Sequence, residues 1–287
     1  MIPYGRQSIS DEDIEAVVKV LRSDFLTQGP VVPHFEQAVA DYCHAQFGVA
    51  VNSGTAALHI ACLALGVGSG DWVWTSPISF VASANCALYC GAQVDFVDIE
   101  LDTGNMCALA LAKKLEIAEK EGKLPKVVIP VHFAGLPCDM KAIFELSQKY
   151  NFKIIEDACH ALGARYYDEP TGNCRYSDIT VFSFHPVKII TTGEGGMAMT
   201  NDPKLAKTMR MLRSHGITRE PDDFINEPDG PWYYEQQMLG FNYRMTDIQA
   251  ALGLSQMQNL EQWIEKRSVI AKRYFEALAP NLLSRYF

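Results

Sequence analysis

A lysine at position 188 follows the apolar run Thr180–Phe184 in the stretch FSFHPVKIITTGEGG, residues 182–196. An ammonium held beside the end of a buried strand is stripped of hydration, which is expected to lower its pKa and make the amine nucleophilic toward carbonyls. The same spacing also suits a lysine snorkelling from a solvent-facing loop. A second stretch, FKIIEDACHALG (residues 152–163), is an apolar strand that ends in Glu156 and Asp157, with His160 just beyond. Two carboxylates there are costly unless donors pair with them or a cleft exposes them; Asp157 as a helix cap is the alternative. In the third stretch, VNSGTAAL (residues 51–58), strand passes through small residues into helix. The free amides of such a turn, with the Thr55 hydroxyl, suit a phosphate, although a plain Ser/Gly turn that caps the helix would look the same.

Each signal is weak alone. Together they supply what pyridoxal 5′-phosphate needs: an amine to hold it covalently, an acid to keep its pyridine nitrogen protonated, and an anchor for its phosphate. Phe80, beyond the strand end Trp74–Pro77, offers a ring to stack on the cofactor.

Elements that would bring these residues together are legible as an alternation of short apolar strands and amphipathic helices. Strands are expected at Phe47–Val51, Trp72–Thr75, Val94–Ile99, Val127–His132, Lys153–Glu156, Thr180–Ser183 and Gly196–Thr200, with helices at Thr55–Leu65, Ser79–Tyr89, Ala108–Glu121 and Lys141–Tyr150. A further helix opens at Ser10, where Asp11, Glu12 and Asp13 favour the first turn. A long helical pattern runs from Thr246 to about Leu278. Alternation of this kind gives an α/β fold with a mainly parallel sheet covered on both faces, whose ligands collect at the carboxyl ends of the strands. The division expected is a large domain over residues 1–245, and a long helix in 246–287 leading toward a second, smaller domain.

Composition is that of an ordinary globular protein, with 48% hydrophobic and 21% charged residues among 287. A formal net charge of -9 argues against nucleic-acid binding. Eight cysteines without a Cys-x-x-Cys pair read as free thiols. No metal site is expected, since His and Cys pairs at ligand spacing lack a third partner. With neither an export signal nor a membrane-length apolar run, the expected location is the cytoplasm.

The motifs NSGTAALH, PISFVASAN, EDACHALG, FSFHPVKIITTGEGG and LRSHGITRE, together with LTQGPVVPHFE and FNYRMTDIQAALGLSQM, span nearly the whole chain. In them the sequence resembles the DegT/StrS-type sugar aminotransferases, a branch of the fold type I pyridoxal-phosphate enzymes. The resemblance implies that Lys188 carries the cofactor and moves the proton, that Asp157 partners the pyridine nitrogen, and that His160 stands near the phenolic oxygen. It implies Phe80 as the stacking ring, and Ser183, Thr55 and Ala56 as phosphate ligands. It also implies that Asn242 reaches the phosphate of a neighbouring subunit, hence a homodimer with shared active sites. Tyr4, Thr27 and His215 fall on segments that approach the substrate in that family, and Arg213 beside His215 would contact the sugar nucleotide or order a loop. Within the family the wording is similar to its pseudaminic-acid branch. That similarity implies transfer of an amino group from L-glutamate to C4 of a UDP-linked 4-keto-6-deoxy-N-acetylhexosamine, with release of 2-oxoglutarate. Family dehydratases carry histidine where this chain has Lys188. Family members usually continue into a smaller C-terminal domain, so the chain ending at Phe287 is expected to be a fragment or a truncated form; another nucleotide-sugar C3/C4 aminotransferase of the family and a truncated, catalytically silent protein of this fold are the alternatives.

Overall fold

The structure is a computed structural model, and it describes residues 5–278. Ser10 caps α1 (Asp11–Leu21) by accepting from the Asp13 amide, and Asp13 returns the bond to the Ser10 amide. Helix α2 is Val31–Cys43. Strand β1 (Phe47–Val51) then leads into α3 (Gly54–Ala64), β2 (Trp72–Thr75), α4 (Ala82–Tyr89) and β3 (Gln93–Phe96). Helix α5 (Ala108–Glu121) precedes β4 (Val127–Ile129), and α6 (Met140–Tyr150) precedes β5 (Lys153–Asp157). A short antiparallel pair, β6 (Arg165–Tyr166) and β7 (Glu169–Pro170), is followed by the long strands β8 (Ile179–Ser183) and β9 (Gly196–Thr200). Helix α7 (Pro203–Leu212) and a second short pair, β10 (Ile217–Thr218) with β11 (Glu235–Gln236), complete the sheet-bearing part.

Seven strands form one sheet in the order β1-β9-β8-β5-β4-β2-β3. All neighbours from β3 through β8 pair in parallel, while β9 runs antiparallel to both β8 and β1. The mainly parallel α/β sheet expected from the alternation is thus present. Its central strands are largely apolar because helices cover both faces, whereas the edge strand β3 is partly exposed. Val127, Ile129, Ile155, Ile179 and Val181 pack with α3, α4 and α7 on one side. On the other side, Phe182 and Met197 meet Phe35 of α2, whereas Val128 and Ile154 meet Leu111 and Leu115 of α5.

The long helical pattern from Thr246 is two helices: α8 (Asp247–Met257), then α9 (Leu260–Leu278). At the junction the ladder tightens to i→i+3 bonds, from the Gln258 amide to Ser255 and from the Asn259 amide to Gln256. Hydrophobic periodicity passes through such a step unchanged, so sequence alone read one helix.

Helix α8 also anchors the N-terminal segment. Asp247 is fully buried, and its carboxylate accepts from the amides of Gly29 (2.6 Å), Val31 (2.8 Å) and Val32 (3.1 Å). It thereby supplies the N-terminal cap that Pro30 lacks for α2. Asp247→Ala is expected to cost about 3 kcal/mol, because it strands amides at the start of a packed helix. Urea unfolding measures this, and a loss below about 1 kcal/mol would show that water replaces the carboxylate without penalty.

Among the described residues, no helix is long and apolar enough to cross a membrane, and no group of three or more His, Cys, Asp or Glu side chains is arranged to hold a metal ion. The cysteines are free thiols.

Candidate active site

Carboxyl ends of the parallel strands open into a cavity of about 780 Å³. Its wall includes Thr55, Phe80, Asp157, His160, Ser183 and Lys188. These residues come from four separate strand exits, and the sheet order alone makes them neighbours.

The anion end of the cavity is the start of α3. Ser53 caps the helix, accepting from the Ala56 amide at 3.1 Å. The amides of Gly54 and Thr55 have no acceptor among the described residues and lie at the cavity wall. Capping turn and anion cradle are therefore one structure, with Ser53 as the cap. Ala56 differs from expectation: its amide is already bonded, and its buried methyl packs into the core rather than lining the cavity. Two glycines let the cradle form. A Cβ on Gly54 would lie 2.9 Å from Cβ of Ser183, and one on Gly196 would lie 2.5 Å from the Ser53 carbonyl carbon. The glycine-rich turn after Lys188 thus brings β9 under the cradle.

Strand alternation separates the two carboxylates of β5. Glu156 faces away from the cavity and binds His132 Nε2 at 2.8 Å, together with the hydroxyls of Ser177 and Thr180. The Cys138 amide donates to His132 Nδ1 at 3.2 Å, which places the ring proton on Nε2, where it donates to Glu156. Although burial works against the charge, the His132 and hydroxyl donors hold the Glu156 carboxyl below its usual range. Asp157 points the other way, is only 5% exposed, and lines the cavity. The Ser83 hydroxyl donates to its Oδ2 at 2.5 Å and the Cys159 amide to Oδ1 at 3.2 Å. Ser83 sits in α4, three residues beyond Phe80, and a lone serine in an alanine-rich helix gave no sequence signal for this role. Only the packing of α4 beside β5 reveals it.

Lys188 lies on the loop after β8, half-buried at the cavity wall, and its ammonium has no hydrogen-bond or ion-pair partner among the described residues. Burial, reinforced by the nearby Lys188 charge, holds the His160 imidazole below its usual pKa, so it is neutral at pH 7. Burial and the Asp157 charge push the Cys159 thiol well up, which leaves it un-ionised beside the amine. Phe80 is 70% exposed with its ring at the cavity mouth. Gln249, which caps α8 in a reciprocal pair with Thr246, and Glu194 complete the wall. Gln249 and Glu194 carried no chemical pattern in the sequence.

Other expected residues lie elsewhere. Asn242 is exposed and outside its own chain's cavity, paired through backbone to Ser214. Thr27 bridges to Thr246, away from the cavity wall. His215 is exposed in a left-handed turn (φ 62°) and also stands outside the wall. Arg213 is structural: its guanidinium bonds the Glu36 carboxylate and the Ala50 carbonyl. Tyr4 lies outside the described residues.

The cavity suits pyridoxal 5′-phosphate on three observations. Two unpaired amides line a cradle that a Cβ would fill, a buried carboxylate already has two donors, and an unpaired ammonium faces the same space.

Residues 7–283 match the model of the DegT/DnrJ/EryC1/StrS aminotransferase family. The chain is 39% identical over 281 residues to the UDP-4-amino-4,6-dideoxy-N-acetyl-beta-L-altrosamine transaminase of Campylobacter jejuni, covering 98% of this chain and 70% of that one. Among solved structures it is similar to Helicobacter pylori PseC, an aminotransferase involved in the biosynthesis of pseudoaminic acid. The TM-score there is 0.88 at 34% identity, over 98% of this chain and 71% of the other. It is also similar to the PMP-form of the putative sugar aminotransferase Spr1654 from Streptococcus pneumoniae, with TM-score 0.86 and 33% identity over 97% and 73% of the two chains. Cavity, fold and comparisons agree: the chain belongs to the DegT/DnrJ/EryC1/StrS family and is a pyridoxal-phosphate-dependent sugar aminotransferase.

Proposed function

We propose that this enzyme moves an amino group from L-glutamate to C4 of a UDP-linked 4-keto-6-deoxy-N-acetylhexosamine, forming UDP-4-amino-4,6-dideoxy-N-acetyl-β-L-altrosamine and 2-oxoglutarate. The observation that carries amino transfer is the unpaired Lys188 ammonium facing the same cavity as buried Asp157 and the free amides of α3. Similarity to the transaminase of that product supports the choice of sugar. When bound, pyridoxal 5′-phosphate supplies the electron sink for charge developing at the amino-acid Cα. Lys188 would hold it covalently, and its amine would take the proton from the amino-acid Cα as a general base. Asp157 would hold a proton at the pyridine nitrogen. The Gly54 and Thr55 amides, with the Thr55 and Ser183 hydroxyls, would bind the phosphate. Phe80 would stack on the ring, and neutral His160 would stand by the phenolic oxygen. Asn242, exposed outside its own cavity, serves a neighbouring subunit in a cytoplasmic homodimer, and the family resemblance assigns Thr27 and His215, both outside the cofactor cavity wall, to the sugar nucleotide.

The substrate is tested by incubating the pyridoxamine-loaded enzyme with a panel of UDP- and dTDP-linked 4-keto sugars. UDP substrates should be consumed, with the altrosamine product identified by NMR. Consumption of dTDP sugars alone would overturn the nucleotide assignment and leave amino transfer standing, in favour of another nucleotide-sugar C3/C4 aminotransferase.

Ser83 gives a finer prediction. Its hydroxyl is one of two donors on Asp157, and a buried charge-assisted bond contributes about 1.5–3 kcal/mol. Ser83→Ala should therefore weaken cofactor binding by about tenfold or more in a spectroscopic titration, and Ser83→Thr should restore it. An unchanged affinity in the alanine variant would refute the link.

A further inference from the structure

A groove of about 170 Å³ lies beside the cofactor cavity, where the N-terminal segment, the loop after β8 and α9 meet. Lys188 stands on the wall of both spaces. Arg6 comes to the groove from the N-terminal segment, and Lys266 and Arg267 from α9. Together with Trp263 and Ile270, these two occupy one face of α9, at spacings of three and four residues. No carboxylate lines the groove. Glu261 of the same helix instead accepts from the Tyr42 hydroxyl at 2.6 Å, and Glu265 is off the wall. Gln256 of α8, almost fully buried, fixes the other elements. Its Nε2 donates to the Ser8 carbonyl at 2.9 Å and its Oε1 accepts from the Thr191 amide at 3.3 Å, which ties the N-terminal segment and the Lys188 loop to α8.

We propose that this groove binds the diphosphate of the nucleotide-sugar substrate through Arg6, Lys266 and Arg267; the inference rests on the reading of the reaction above and extends it to how the nucleotide end is held. In a chain of net charge -9, three cations gather here, and none has an ion-pair partner among the described residues. Lys266 makes only a neutral bond, to Gln262 Oε1 at 3.1 Å. Lys272, further along α9, pairs with Glu276 at 3.8 Å and stands outside the groove. Asp13, which accepts from Gln256 Nε2 at 2.6 Å, is fully buried and off the wall. Like charges placed together repel, and an anion seated among them relieves that repulsion while accepting charge-assisted bonds.

Size and position select the group. Cavities that enclose a whole small molecule begin at about 300 Å³, so this groove takes one part of a larger ligand. The cofactor cavity cannot hold that part as well. Its wall carries the carboxylates of Asp157 and Glu194, and Lys188 is its one lysine or arginine. The free amides of α3 are committed to the cofactor's own phosphate. A sugar that reacts beside Lys188 bears its diphosphate on the far side of the same ring, and the adjoining space on the Lys188 loop is the cationic groove. Trp263, half-buried against the core, adds apolar surface next to the cations, suited to the nucleoside that the diphosphate carries.

The test titrates the pyridoxamine-loaded enzyme with sodium pyrophosphate, UDP and dTDP by calorimetry, with no amino donor present. All three should bind, and more weakly as salt is raised. The double variant Lys266→Gln, Arg267→Gln should bind each of them about tenfold more weakly or worse, because two charge-assisted bonds are lost. Lys266→Arg, which keeps the charge, should retain binding, and so should Lys272→Gln on the same helix. In steady state the double variant should raise KM for the nucleotide sugar by the same factor and leave KM for glutamate where it was. Wild-type affinity in the double variant overturns the proposal, and a rise confined to the glutamate KM does so too. The titrations involve no turnover, so they stand even where a different nucleotide sugar proves to be the substrate. Consumption of UDP sugars by a double variant with unaltered KM would sink the groove alone and leave the reaction in place.

Discussion

Lys188→Ala is expected to abolish covalent retention of the cofactor and to slow amino transfer by at least about a thousand-fold, since the proposed mechanism uses the same amine as attachment point and general base. Borohydride reduction followed by mass spectrometry reads the first effect, and single-turnover consumption of glutamate the second. Stability should stay within about 0.5 kcal/mol of wild type, because the ammonium has no partner to lose among the described residues and no packed core to disturb. Cofactor should still bind without a covalent link, because the α3 amides, Asp157 and Phe80 are untouched. Full activity in this variant would refute the role of Lys188. Gross unfolding would instead make Lys188 a structural residue, contrary to its position on a half-buried loop.

Asp157→Asn should leave the fold intact and cut the glutamate half-reaction by about 10²–10³-fold, the range typical of losing one preorganised electrostatic partner. The local geometry accepts the amide. Its oxygen can keep the Cys159 amide bond, and its NH₂ can donate to Ser83, whose hydroxyl turns to the Phe80 carbonyl 3.2 Å away. What is lost is the negative charge, which in the proposed mechanism would keep the pyridine nitrogen protonated and the ring an electron sink. Stopped-flow measurement of glutamate-driven conversion isolates this step from sugar binding. Wild-type rates would rule out Asp157 as the pyridine partner. A large stability loss would mean that the carboxylate serves the strand end.

Glu156 and Asp157 mark the border between what the chain spells out and what folding adds. Adjacent in sequence, they look equally suited to either task. The two-residue period of β5 sends one to His132 and the other to the cavity, and which is which depends on the helices that cover each face. Ser83 and Asp247 illustrate the same limit at longer range. A serine in α4 finds Asp157 across 74 positions, and an aspartate in α8 caps α2 from 215 and 216 positions away. No local pattern encodes either pairing.

Periodicity by itself determined the parallel α/β sheet, because burial on both faces forces apolar strands and amphipathic helices into the sequence. Motif chemistry pointed to Lys188, Asp157, Thr55 and Phe80 as a cofactor set and the family resemblance added His160 and Ser183, and all six line one cavity because they sit at strand exits. Tertiary structure alone decided which amides of α3 are free, where the helix from Thr246 breaks, that Arg213 braces Glu36 and Ala50, and that the Cys62 and Cys86 thiols meet between α3 and α4. The reason is physical. Periodicity records which side of an element is dry, whereas hydrogen-bond partners, tight glycine contacts and sulfur neighbours depend on how two elements distant in sequence are set against each other.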